Sequence, residues 1–165
     1  MGKQLFQALI CFLFISMSSP ILAQDANQKA IDDKILTEYF AKNNIKPTKT
    51  ASGLYYVIKK QGSGANARAG KQVSMNYIGK FLSGKVFDAN VDETGHLING
   101  RDVLQFTLGI GQVIKGWDEG VQLLNPGTKA TLYLPSGIAY GPNGRGPIPA
   151  NSILVFDVEL LSAAN

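Results

Sequence analysis

Thiol, imidazole and indole each occur once in this 165-residue chain, as Cys11, His96 and Trp117. A single histidine cannot build a multi-histidine metal site, and no Gly-x-Ser-x-Gly elbow accompanies it for a serine nucleophile. His96 lies in a polar stretch and reads as a solvated side chain. The loops of nucleotide chemistry are missing as well. Between Gly64 and Gly70 there are five residues where a phosphate loop has four, and Gln72 stands where a hydroxyl would hold magnesium. Gly109-Ile-Gly111 lacks the third glycine of a dinucleotide fingerprint. Basic residues are scattered, with Lys59-Lys60 the one adjacent pair, so the stripe that nucleic acid requires is absent. The formal charge of +4 is a solubility feature.

Long apolar runs are equally scarce. Lys3 precedes an apolar run from Leu5 to Met17, and Ser18-Ser-Pro-Ile-Leu-Ala23 leads into the polar Gln24-Asp-Ala-Asn27. A charged start, a short apolar centre and a small residue before the cut make a secretory signal peptide over residues 1–23, cleaved after Ala23. A membrane span needs about 20 apolar residues, more than this run supplies, so no stable membrane insertion is expected after cleavage. A lipid anchor would need a small residue before a cysteine near the cut, whereas Cys11 follows Ile10 and comes too early. Cleavage removes Cys11, leaving no disulfide and no thiol nucleophile. It also removes Lys3, which leaves 15 basic residues against 12 acidic ones, a charge of +3. The expected location is outside the cytoplasm, periplasmic or secreted.

The remaining residues suffice for one domain with a full core. Residues 24–50 form a helix and connector. In the helix, over 25–44, Ile31, Ile35 and Tyr39 recur at four-residue spacing with Leu36 and Phe40 beside them. That stripe suits a helix laid on the main domain; a dimerisation helix is the alternative. The domain itself, residues 51–165, reads as strands separated by glycine turns. Leu54 to Ile58 is the first. Val73, Met75 and Tyr77 alternate with polar residues, as do Leu104, Phe106 and Leu108, then Ala130, Leu132 and Leu134, then Leu154, Phe156, Val158 and Leu160. One helix fits among them, with Val113, Trp117, Val121 and Leu124 on one side and Pro126-Gly127 ending it. Antiparallel strands with one apolar-faced helix make an α+β domain. Two loops are prominent: the long polar stretch 89–102, and 137–149, which packs four glycines and three prolines around Tyr140.

Aromatic-rich phrases carry the functional signal. In order they are Val73-Ser-Met-Asn-Tyr-Ile-Gly79, Gly84-Lys-Val-Phe-Asp88, Phe106-Thr-Leu-Gly109, Val113-Ile-Lys-Gly-Trp-Asp-Glu-Gly120, Ala139-Tyr-Gly141 and Leu154-Val-Phe-Asp-Val-Glu-Leu160. Over residues 53–162 the chain closely resembles the FKBP-type peptidyl-prolyl cis-trans isomerases, the macrolide-binding family. Its signal and amino-terminal helix resemble those of exported bacterial members. The resemblance implies a strongly bent antiparallel sheet, a half-barrel, wrapped around one short helix with the pocket between them. It further implies a pocket floored by Trp117 and walled by Tyr77, Phe87, Val113, Ile114 and Phe156. Asp88 would lie at the rim, and Tyr140 would come from the glycine-proline loop. Leu104 occupies a place often held by an aromatic, and Ile148 matches another wall residue in a loop one residue shorter than usual. Tyr77, Asp88 and Tyr140 are the implied catalytic residues, and the N–H of Ile114 the implied receiver of a substrate carbonyl. Proline-containing polypeptides are the implied substrates, macrolide inhibitors the implied ligands, and the chemistry needs neither cofactor nor metal. A peptide-holding chaperone and a small-molecule carrier are the rival uses of such a pocket.

Overall fold

The computed structural model describes residues 20–164, with side chains from residue 25. Residues 1–19 of the expected signal peptide lie outside that range, and the expected cut after Ala23 falls in the first turns of helix α1 (Pro20–Lys42). Seven strands follow: β1 (Thr48–Lys49), β2 (Tyr55–Lys60), β3 (Gln72–Phe81), β4 (Val86–Ala89), β5 (Leu104–Thr107), β6 (Lys129–Leu134) and β7 (Leu154–Ala163). Helix α2 (Lys115–Gly120) lies between β5 and β6. All pairings are antiparallel, in the order β1-β2-β6-β7-β3-β4, and β5 shares the outer edge of β3 with β4. No described helix is long and apolar enough to cross a membrane.

Alternation along the strands sends side chains to two different cores. On one face Leu132, Leu134, Leu154, Phe156, Val158 and Leu160 meet Trp117, Val121 and Leu124. On the other, Tyr55, Tyr133, Ile153 and Val155 meet Leu36 and Phe40 of α1. Because both faces are covered, β6 and the first half of β7 are buried almost continuously, as a two-sided strand must be. Tyr133, held under α1, has its phenol pushed up to about 12, first by burial and then by Tyr39 and Asp157 nearby.

Two helices differ from the sequence expectation. In α1 the buried row is Asp32, Leu36 and Phe40, whereas Ile31 and Ile35 are 43% and 42% exposed. The two rows are neighbours on the helix and both obey four-residue spacing; the row that meets Tyr55 and Tyr133 is the one offset by a residue. The expected helix through Val113 to Leu124 is a six-residue α2 followed by a 3-10 turn, Val121–Leu123. Ile114 is extended, and its carbonyl accepts from Trp117 and Asp118 to close the first turn. Gly116 sits so close to Leu134 that a Cβ there would lie 2.5 Å from it. A longer, better helix former at this position would push α2 off the sheet.

Candidate functional site

The cleft lies where β3, β4, the start of α2 and the loop after β6 converge. Its floor is Trp117, 4% exposed, in the first turns of α2. Tyr77 and Phe156 stand edge-on to that indole, with centroids at 5.3 and 5.2 Å and interplanar angles of 81° and 85°. Phe87 stands edge-on to Phe156 at 5.6 Å. These are the arrangements that aromatic quadrupoles favour, so the wall holds its own shape without a ligand. Gly79 of β3 makes room for it: a Cβ there would lie 2.7 Å from the Phe87 ring and 2.9 Å from Phe156.

The rim is polar. Tyr77 Oη donates to Asp88 Oδ2 at 2.7 Å, and Arg101 Nη2 lies 3.2 Å from Asp88 Oδ1. Burial, then the Asp88 carboxylate, hold the Tyr77 phenol well above the usual tyrosine range, so it stays protonated and serves as a donor. Across the opening, Tyr140 and Arg145 come from the glycine-proline loop, with the guanidinium 5.7 Å from the Tyr140 ring centroid. The N–H of Ile114 precedes the first turn of α2 and has no carbonyl within the helix to bond.

The cleft, of about 360 Å³, is lined by nine of the ten residues expected from the sequence: Tyr77, Phe87, Asp88, Leu104, Val113, Ile114, Trp117, Tyr140 and Phe156. Ile148 is not on its lining. It is 6% exposed and packed in the main core, where its backbone bonds reciprocally with Arg145. Gln112 and Arg145 join the lining, and Arg101 reaches the rim, without having been expected. Arg101 carries no sequence signal, because its distance along the chain from Asp88 depends on the length of the intervening loop.

Asn90 is the other residue that the sequence concealed. On the outer edge of β3, β5 pairs as far as Met75 and β4 begins again at Ile78. Asn90 bridges that gap. Its Oδ1 accepts from the Tyr77 N–H at 2.7 Å, and its Nδ2 donates to the carbonyls of Met75 and Asp102 at 3.1 and 3.2 Å. One buried amide thereby satisfies the backbone beside the cleft and ties the long loop to it.

Residues 64–161 match the family model of the FKBP-type peptidyl-prolyl cis-trans isomerase. The FKBP-type isomerase FkpA of Aeromonas hydrophila is 45% identical over 127 residues, 76% of this chain and 44% of that protein. A probable FkpA of Neisseria meningitidis is 39% identical over 163 residues, 96% of this chain and 56% of that protein. The chain thus spans about half the length of these relatives. Among solved structures, FkpA from Escherichia coli superposes with a TM-score of 0.67 at 34% identity, covering 86% of this chain and 63% of that one. AtFKBP13 superposes at 0.64, also with 34% identity, covering 72% of this chain and 99% of that one.

Proposed function

The chain belongs to the FKBP-type peptidyl-prolyl cis-trans isomerase family, and from that premise we propose that it accelerates X-Pro isomerisation in proteins folding outside the cytoplasm. The observation that carries the reading is the Trp117 floor closed edge-on by Tyr77 and Phe156, with Asp88 bonded to Tyr77 at its rim and the indole N–H left without a partner. Rotation about X-Pro is opposed by amide resonance, a barrier of roughly 18–20 kcal/mol, and takes tens to hundreds of seconds unaided. The twisted amide has lost resonance and is less polar than the planar one, which water solvates well. An aromatic, water-poor cleft therefore favours the transition state over the ground state, and differential binding of this kind lowers the barrier without a nucleophile.

The rim groups orient the substrate. The Ile114 N–H receives one carbonyl and the Tyr140 hydroxyl another. Tyr77 remains a phenol held by Asp88, so this pair shapes the edge and transfers no proton. Macrolide inhibitors of the family occupy the same cleft in competition with the peptide. Residues 1–23 act as the export signal, which places the clients in the periplasm or beyond.

The test is isomerisation of a proline tetrapeptide by residues 24–165, with and without such a macrolide. Turnover that the macrolide suppresses supports the isomerase. Macrolide binding without turnover moves the function to a peptide-holding chaperone or a carrier, and neither would limit the likeness to the fold. For export, mass spectrometry of the mature protein should find Gln24 first; an intact Met1 in a membrane fraction would overturn that assignment.

A further inference from the structure

One buried carboxylate lies far from the cleft and serves none of the steps above. Asp32, in the middle of α1, is 2% exposed. It stands in the same row as Leu36 and Phe40, where an apolar side chain would pack without the cost of removing a carboxylate from water. Its Oδ2 accepts from Ser136 twice, from the backbone N–H at 2.7 Å and from Oγ at 2.6 Å. Its Oδ1 accepts from Gln28 Nε2 at 2.8 Å, one turn earlier on α1. The carboxylate is thus fully engaged, and two of its three bonds go to one residue 104 positions away.

Ser136 opens the 3-10 turn Ser136–Ile138 that leads directly into Tyr140. Beyond Tyr140 the chain runs through Gly141, Pro142, Gly144, Gly146 and Pro147, mostly exposed, before Ile148 returns to the main core. After Tyr140, the Asn151 N–H bonds the Gly141 carbonyl at 2.8 Å and Ile148 is buried in the main core; before it, the position of Tyr140 is set by the turn at Ser136. There the turn is held between two helices. From the cleft side, Gly116 of α2 approaches so closely that a Cβ on it would lie 3.2 Å from the Ile138 carbonyl oxygen. On the opposite side stands Asp32. A cavity of about 490 Å³ opens between α1 and the same turn, lined by Gln28, Lys29, Pro135 and Ile138 among others. Packing there is thin, and the registration of turn against helix falls to the hydrogen bonds.

We propose that Asp32 is a positioning residue of the isomerase: through Ser136 it sets the turn that presents Tyr140 to the substrate. Helix α1 is then a working part of the site, acting from the far face of the sheet. A buried polar lock of this kind contributes geometric specificity where leucine would contribute only packing.

The proposal rests on the isomerase reading, so its test has one arm that requires turnover and one that does not. In the first, Asp32→Ala and the milder Ser136→Ala, which removes only the hydroxyl bond, are measured alone and combined with Tyr140→Phe. Asp32→Ala is expected to lower turnover about five-fold and Ser136→Ala about two-fold. Neither should lower it further once Tyr140 is phenylalanine, because both act through that hydroxyl. Asp32→Asn, which keeps an oxygen for the Ser136 N–H, should recover most of the loss. A merely structural role would give the same fractional loss in both backgrounds, and that result would overturn the proposal. In the second arm, amide exchange is followed at Ala139, whose N–H bonds to the Ser136 carbonyl, with Tyr77 as internal reference. Asp32→Ala should accelerate exchange at Ala139 at least ten-fold and leave Tyr77 unchanged. Equal protection at Ala139 in both proteins would overturn the proposal even if the chain proved to have no turnover, a result that would by itself sink only the isomerase reading.

Discussion

The two faces of the sheet are finished differently. The α2 face is an aliphatic core of leucines and valines that stops short at one edge, leaving Tyr77, Phe87 and Tyr140 half-buried around the buried Trp117 and Phe156. The α1 face is a small, closed aromatic patch, with Phe40 packed at 5.0 Å on Tyr55 and 4.9 Å on Tyr133. Polar groups seal its border: Asp33 accepts from Tyr55 Oη at 2.6 Å and from Lys49 Nζ. On the first face Tyr77, Phe87 and Tyr140 are left in contact with solvent and hold a shape for something else to fill; on the second Phe40, Tyr55 and Tyr133 are consumed by one another. An exposed aromatic edge is costly to leave uncovered, and the rigid edge-to-face geometry of the first set allows it to persist open.

That contrast can be broken most directly by truncating one aromatic on each face. Trp117→Ala and Phe40→Ala should each lower unfolding stability by about 3–5 kcal/mol, read from urea melts. Trp117→Ala should also abolish isomerase turnover, whereas Phe40→Ala should leave the rate per folded molecule near wild type. Equal turnover losses would mean that the α1 face reaches the site through its packing and not only through Asp32.

The rim gives a smaller effect with the opposite balance. Asp88→Val and Tyr140→Phe should each lower turnover about ten-fold, the equivalent of one hydrogen bond of roughly 1–1.5 kcal/mol, with Asp88→Val at least as damaging. Both residues are partly exposed, so the melts should barely move. Wild-type rates in both variants would remove them from the site. Gly79→Ala sharpens the point on the wall, since the added methyl collides with Phe87 and Phe156 together. It should cost about 1–3 kcal/mol and weaken macrolide binding, measured by calorimetry.

The smallest effect belongs to the seal on the α1 face. The hydrogen bond from Lys49, then that from Tyr55, hold the Asp33 carboxyl below its ordinary value. A depressed folded value means that the contribution is complete above the unfolded value and is lost as pH falls through the folded one. The pair is partly exposed, so the loss should be a few tenths of a kcal/mol in acid. Asp33→Asn should abolish that component of the pH dependence; an unchanged acid slope would remove Asp33 as its source.

Period-two alternation made the strands readable from the chain, because it depends on residues near one another in sequence; the nine lining residues of the cleft, spread from Tyr77 to Phe156, were legible only through the family resemblance that the ordered phrases carry. Period alone could not choose between two adjacent rows on α1. Ile31 and Ile35 satisfy it as well as Leu36 and Phe40 do, and an aspartate in the buried row argues against that row until Ser136 is seen beneath it. The extent of α2 was misread for a related reason: Gly116 is needed for its contact with Leu134, and that contact is not local.

What the sequence determined by itself was the α+β class, carried by side-chain pattern over short spans, and the family resemblance, which in turn implied the aromatic walls. Only the tertiary structure decided that Asn90 completes the edge of β3, that Arg101 reaches Asp88 and that Asp32 holds the turn before Tyr140. The physical reason is common to the three. Each is a polar group with a deciding partner 13 to 104 residues away, and hydrogen-bond complementarity at such distances leaves no periodic trace in the chain.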